Sequence, residues 1–246
     1  MCGRYSLFTP PETLESRFDI DVSGYEPRYN AAPSQSLPVI ADTRAESLSR
    51  MEWGFVPPWA DERNGHINAR GESLRERPTF ADAFEKNRYE ETDTGEVLDA
   101  GRCLVPADGF YEWVETAGGK QPYRVQRKDE KPFAMAGLWT QWRPKTTQMG
   151  LDAFGGDAAA AARGEPDVIE TFTIVTTEPN EVVKPLHHRM AVILPAGEER
   201  RWLTESADAV EPLLGPYGGE LESYPVSTAV NDPSNDTPAV IERREQ

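Results

Sequence analysis

The stretch GRCLVPADGFYEWVE, residues 101–115, carries the pattern from which the fold is read. Leu104, Val105, Phe110, Tyr111 and Val114 suit a pleated, half-buried surface, and Asp108-Gly109 between them is a turn dipeptide. Two strand segments about an Asp-Gly turn are expected. In the second segment Glu112 stands between Tyr111 and Trp113. A carboxylate among aromatic rings is partly desolvated, which raises its pKa toward the range useful for general acid–base work. The plainer reading puts Glu112 on the solvent face of an alternating strand. Phe110 and Val114 share its face by the period of two, and they argue against that.

Further strands follow on both sides. Downstream they are PYRVQRKD (122–129), KPFAMAGLWTQW (131–142), TFTIVTTEPN (171–180) and HHRMAVILP (187–195), the last ending at proline. Upstream, Cys2 to Phe8 reads as an opening strand, and YEPRYNAAPSQS (25–36) as irregular chain leading into a strand at LPVI (37–40). SRMEWGFVPPW (49–59) stops at Pro57-Pro58, because proline cannot donate to a ladder. ETLESRFDI (12–20), TFADAFEKNR (79–88), EERRWLTE (198–205) and DAVEPLLG (208–215) suit helices, and LESYPVSTAVND (221–232) closes the chain. Many short strands with a few helices imply an α+β fold, with a curved mixed sheet forming a barrel-like core and short helices on its flanks. With 246 residues, 38% of them hydrophobic, the chain can bury one good core. A single domain is expected over residues 1–235. Residues 143–170 read as a surface insertion and 236–246 as a polar C-terminal tail.

The charge is −16, from 42 acidic against 26 basic residues, of which only six are lysine. Such a balance ordinarily argues against a polyanionic partner. It also suits a protein adapted to molar salt, where the Debye length falls to about 3 Å and local arginines matter more than the total. No apolar run is long enough to cross a bilayer and MCGRYSLFTP lacks a signal-peptide core, so no membrane and a cytoplasmic location are expected. Cys2 and Cys103 are expected to be unpaired thiols, with Cys103 serving packing. No CxxC or HxxxH spacing, Walker loop, GxGxxG or GxSxG is present, so no metal or cofactor is expected.

Cys2 raises a separate question. Read by position, it is either a small buried residue of a first strand or, once Met1 is removed, a 1,2-aminothiol. The latter condenses with an aldehyde: the amine forms an imine, and the sulfur closes a thiazolidine ring on the same carbon. Only three histidines occur, and His187 and His188 are adjacent; as strand residues they would face opposite ways, so one alone could enter a site. Asn68 and Arg70 lie in the polar loop HINAR, where an amide can hold a sugar oxygen and a guanidinium can grip a phosphate. Arg4 and Arg189 lie near the chemical candidates in sequence. Trp59, behind two prolines, can serve as a stacking platform for a base.

Taken in order, MCGRY, PRYNAAP, MEWGFVPPW, INARGES, Pro78 and Phe80 of RPTFADAF, RCLVPADGFYEW, FAMAGLW, FTIVTTEPN and LHHRMAVILP resemble the SRAP family of SOS-response-associated peptidases, or abasic-site-processing proteins. The resemblance runs from Cys2 to about Asn231. It implies a single α+β domain that binds single-stranded DNA at abasic sites and links to the opened deoxyribose through the N-terminal cysteine. On the matching positions it implies a catalytic set of Cys2, Asn68, Glu112 and His187. It further implies DNA contacts from Arg4, Trp59 and Arg70; Arg189, close in sequence to the chemical candidates, is expected to join them, and a monomer is the plainest expected state. Ala191 stands where the family motif carries proline, and His188 where Asp or Asn is frequent. The alternative activity is that of a peptidase or autopeptidase using the Cys2 thiol and the terminal amine.

Overall fold

The Asp-Gly turn at 108–109 does not close a hairpin. The segments Ala100–Ala107 and Gly109–Thr116 do not pair with each other; each belongs to a different sheet, and the turn is where the chain crosses between them. The reason lies in long-range contacts. The Asp108 carboxylate accepts the backbone N–H groups of Phe8 and Thr9 and the Thr9 hydroxyl, which ties the turn to the end of the first strand. Gly109 is needed for the close approach, since a Cβ there would sit 2.8 Å from the Val125 carbonyl oxygen.

The computed structural model describes residues 2–90, 97–144 and 168–244. Its first strands are β1 (Tyr5–Leu7), β2 (Arg28–Ala31), β3 (Ser36–Ala41), β4 (Ser49–Trp53) and β5 (Asn68–Arg70). A small hairpin of β6 (Tyr89–Glu90) and β7 (Val97–Leu98) follows. The long strands are β8 (Ala100–Ala107), β9 (Gly109–Thr116), β10 (Gly119–Arg127), β11 (Phe133–Trp142) and β12 (Ile169–Thr177); β13 (Met190–Ala191) and β14 (Leu221–Pro225) complete them. The helices are α1 (Pro11–Phe18), α2 (Pro78–Glu85), α3 (Glu199–Thr204) and α4 (Ala207–Val210).

Strands β11, β8, β3, β4 and β12 lie side by side, and β11 also pairs with β12, so this mixed sheet closes into a five-stranded barrel. The short helices flank it. Closure brings β11 tight between its neighbours at Gly137, where a Cβ would lie 2.7 Å from Cys103 Sγ and 3.0 Å from the Thr173 carbonyl oxygen. Cys103 is thus a packing residue, fully buried and unpaired. On one flank α3 docks by Trp202, whose Nε1–H donates to the Cys103 carbonyl at 3.0 Å. The second sheet is antiparallel in the order β14, β10, β9, β1, β2, and Tyr5 packs against Trp53 of the barrel with ring centroids 5.3 Å apart.

The HINAR segment, read as a polar loop, forms β5 because Asn68–Arg70 pair in parallel with Ile174–Thr176 of β12, and two further elements differ from the sequence expectation. The PRYNA segment forms β2 instead of irregular chain. Asp236 accepts the backbone N–H groups of Tyr29 and Asn30, while Asn30 Nδ2 donates to the carbonyls of Val230, Asp232 and Asn235. Those partners lie about two hundred residues away and leave no local pattern. The second difference concerns HHRMAVILP, of which only Met190–Ala191 is strand. Residues 181–186 form turns held by Asn180, whose Oδ1 accepts the N–H groups of Val182 and Val183. His187 and His188 therefore sit in a turn and not in a strand.

The chain beyond Asn235 packs on the body: Val240 is buried and Tyr224 donates to the Ile241 carbonyl. Most of 143–170, read as an insertion, lies outside the described residues. Among the described residues, no helix is long and apolar enough to cross a membrane.

Candidate active site

The site is assembled where the start of β1 meets β9 and the C-terminal end of β12. Strand β1 runs antiparallel to β9 with Tyr5 opposite Phe110, and the Tyr111 N–H donates to the Arg4 carbonyl at 3.0 Å. Continued by two residues, this register sets Gly3 against Glu112, immediately beside Cys2. Both groups are shut away from water: Cys2 is 0% and Glu112 2% exposed. Burial pushes the Glu112 carboxyl up to about 7, opposed by the positive charge of the chain terminus. Burial also pushes the Cys2 thiol up, and the neighbouring Glu112 charge adds to the rise. The thiol is held protonated, and the carboxyl can exist in either form near neutral pH.

Asn68 opens β5, which runs parallel to β12 with Asn68 opposite Ile174. Its Nδ2 donates to the Cys2 carbonyl at 3.0 Å and to the Ile67 carbonyl at 2.7 Å. Its Oδ1 is buried and accepts no hydrogen bond from the described residues. An amide fixed through its nitrogen presents its oxygen as an acceptor, beside the residue whose amine would become the terminus.

His187 reaches the same region from the other flank of β12, where β13 pairs with Thr176 and Thr177. The Arg189 N–H donates to His187 Nδ1 at 3.0 Å. A backbone N–H can only donate, so the neutral ring carries its proton on Nε2. Burial first, and then the positive chain terminus, lower the His187 pKa, which favours that neutral form. The positive charge of the chain terminus acts to lower the pKa of both Glu112 and His187. The second imidazole is not turned away, as it would be in a strand. The rings of His187 and His188 lie against each other, tilted by 30° with centroids 4.2 Å apart.

The four expected DNA contacts are placed differently from one another. Arg70 lies on β5 two residues from Asn68, hence on the same strand face, exposed and without an ion pair among the described residues. Trp59 is 45% exposed on its loop, beside Ala60, whose carbonyl accepts from Trp142 Nε1. Arg4 is half-buried, donating to Asn30 Oδ1 and the Val230 carbonyl at 2.7 Å each and lying over the Trp113 ring. Arg189 has its guanidinium gripped by Glu72 at 2.6 and 2.8 Å and by the Thr176 carbonyl at 2.7 Å. It braces the turn that carries His187.

Glu72 and Thr176 are site-supporting residues that sequence reasoning missed. Arg189 lies 117 residues from Glu72 and 13 from Thr176, and only the placement of Glu72 two residues after Arg70 could have pointed to it. A cleft of 720 Å³ lined by Arg17, Ile20, Ile40, Leu104, Glu199 and Leu203, among others, contains none of the candidate residues. Among the described residues, no group of three or more His, Cys, Asp or Glu side chains is placed to hold a metal ion.

The family model described as SOS response associated peptidase (SRAP) matches residues 1–89 and 94–233 of this chain. The abasic site processing protein YoqW of Bacillus subtilis (strain 168) is 37% identical over 255 residues, which cover 98% of this chain and 99% of that protein. The abasic site processing protein HMCES of Gallus gallus is 32% identical over 243 residues, covering 88% of this chain and 66% of its own length. A solved structure from Bacteroides thetaiotaomicron matches with a TM-score of 0.77 at 24% identity, covering 99% of this chain and all of that one, and so shares the fold.

Proposed function

The chain belongs to the SOS response associated peptidase (SRAP) family, and from that premise we propose that it processes abasic sites in single-stranded DNA by covalent capture. The observation that carries the reading is the buried Glu112 carboxyl, poised near 7, against a Cys2 that Asn68 holds by its carbonyl. The names of the relatives support the substrate class.

Removal of Met1 exposes the Cys2 amine. An abasic sugar rests mostly as a closed hemiacetal, so its ring must open before an amine can attack. Glu112 as carboxylate takes the proton of the C1′ hydroxyl as the C1′–O bond breaks, and the ring oxygen, held by a hydrogen bond from the His187 Nε2–H, takes its proton from solvent. The amine then adds to the C1′ aldehyde, and protonated Glu112 helps water leave, giving the imine. Water leaves with the Glu112 proton, so the imine stands protonated on nitrogen; sulfur adds to its carbon as the thiol proton passes to the Glu112 carboxylate, and the nitrogen becomes a neutral ring amine. A five-membered thiazolidine results, one water having been lost. A thiol held protonated by burial needs a base at the moment sulfur attacks, and Glu112 is the one beside it. Asn68 Oδ1 accepts from the amine and aims its lone pair at the carbon. Arg70 and Trp59 hold the flanking phosphate and base. Single-stranded substrate avoids the cost of unpairing.

The test is an adduct assay. Mixed with an abasic single strand, the protein should give a band that survives denaturing gels, with none on an undamaged strand. An equal yield from Cys2→Ala would reject the cysteine link. Cleavage of a peptide without any adduct would favour the peptidase reading.

A further inference from the structure

The pair His187–His188 is absorbed only by half into the chemistry above. His187 lies at the site; His188 lies exposed on its outer face. We propose that His188 is a positioning residue, which fixes the His187 ring plane by close ring contact and keeps His187 in its neutral, Nε2–H form through charge repulsion. This inference rests on the proposed covalent capture.

Two constraints act on the His187 ring. The Arg189 N–H holds Nδ1 from the backbone side, and the His188 ring lies against the other side, tilted by 30° with the centroids 4.2 Å apart. A ring held from both sides has its other nitrogen aimed in a single direction. The contact also couples the two protonations. Two imidazolium charges at this separation repel, so once one ring is charged the second proton binds less readily. The positive chain terminus and the Arg189 guanidinium act on His187 in the same direction. Glu72 occupies Arg189 and so leaves it fixed in place. The carbonyl of Arg189, 3.2 Å from Nδ1, gives the protonated ring an alternative partner. Protonation would exchange the N–H contact for the carbonyl contact and re-aim the ring, which is the change His188 opposes.

The test combines imidazole NMR titration with single-turnover crosslinking on an abasic single strand. Only His66, His187 and His188 contribute ring signals, so each can be followed. His188→Asn removes both ring contact and charge; His188→Phe keeps the ring contact and removes the charge. Both should raise the His187 titration midpoint by about half a pH unit, and the matching inflection in the crosslinking rate should move with it. The plateau rate should fall several-fold in His188→Asn and stay near wild type in His188→Phe. An unmoved His187 midpoint in both variants would overturn the proposal, as would equal plateau rates in Asn, Phe and wild type. The titration is read on the free protein. If no adduct formed with any of the three proteins, the covalent-capture reading would fail while the coupling of the two rings could still be measured.

Discussion

Asn68 donates its amide N–H to the carbonyl of Cys2 across 3.0 Å, joining the start of the chain to the strand that lies beside the end of β12. This bond fixes where the first reactive residue sits, and it leaves the amide oxygen as the buried acceptor beside it.

Removing that tether should loosen the nucleophile without unfolding the protein. A hydrogen bond of this kind contributes about 1 kcal/mol, and the stranded carbonyl adds to the loss. Asn68→Ala should therefore slow adduct formation about tenfold or more, with the circular dichroism spectrum unchanged. Timed adduct assays check it; a wild-type rate would show that the tether plays no part in placing the amine.

Glu112 makes a pH-dependent prediction. Its folded pKa, about 7, lies above the ordinary value of 4.5, so between those values the folded state holds a proton that the unfolded state has lost. Stability then falls as pH rises through that window, by up to about 3 kcal/mol once the carboxylate is ionised in both states. Glu112→Gln should melt above wild type at about pH 8 and close to it near pH 5. Thermal melts at the two pH values decide the matter, and the same variant should crosslink slowly at both.

The arginines should separate by role. Arg70, exposed and without an ion pair among the described residues, is placed to meet a phosphate, so Arg70→Ala should lower the salt slope of single-strand affinity by about 0.7. Arg189 is committed to Glu72 and Thr176, so Glu72→Gln should slow crosslinking several-fold while leaving that slope nearly unchanged. Affinity titrations at several salt concentrations distinguish the two, and equal slope changes would contradict the division.

The excess of acidic residues predicts a response to salt. A net charge of −16 repels itself most at low ionic strength, and the Debye length falls from about 10 Å at 0.1 M to about 3 Å at 1 M. Melting temperature should rise across that range, and crosslinking should persist. A fold or an adduct lost at molar salt would refute the adaptation.

Glu112 was legible because its signals are local: a carboxylate between two aromatic residues in an alternating strand proves to be buried. The long strands from Ala100 onward were legible for the same reason. The histidines were not. The apolar run MAVIL suggests a strand, but what ends it at Met190 is the Asn180 turn chemistry upstream, which sets His187 and His188 in a turn where their rings meet. The Asp108 turn was placed correctly, yet its partners at Phe8 and Thr9 decide that it joins two sheets. Glu72 and β2 were missed because each depends on residues more than a hundred positions away. Pattern reaches as far as the element; a pairing between distant side chains leaves no period to read.

The central claim is that the new terminus at Cys2, amine and thiol together, is the group that captures the lesion. Intact mass of the protein before and after reaction with an abasic single strand tests it most directly. The starting mass should lack Met1, and the product should be heavier by the DNA less one water, with the addition mapped to the Cys2 peptide and absent from Cys2→Ala. A retained methionine in protein that still reacts, or an addition at any other residue, would contradict it.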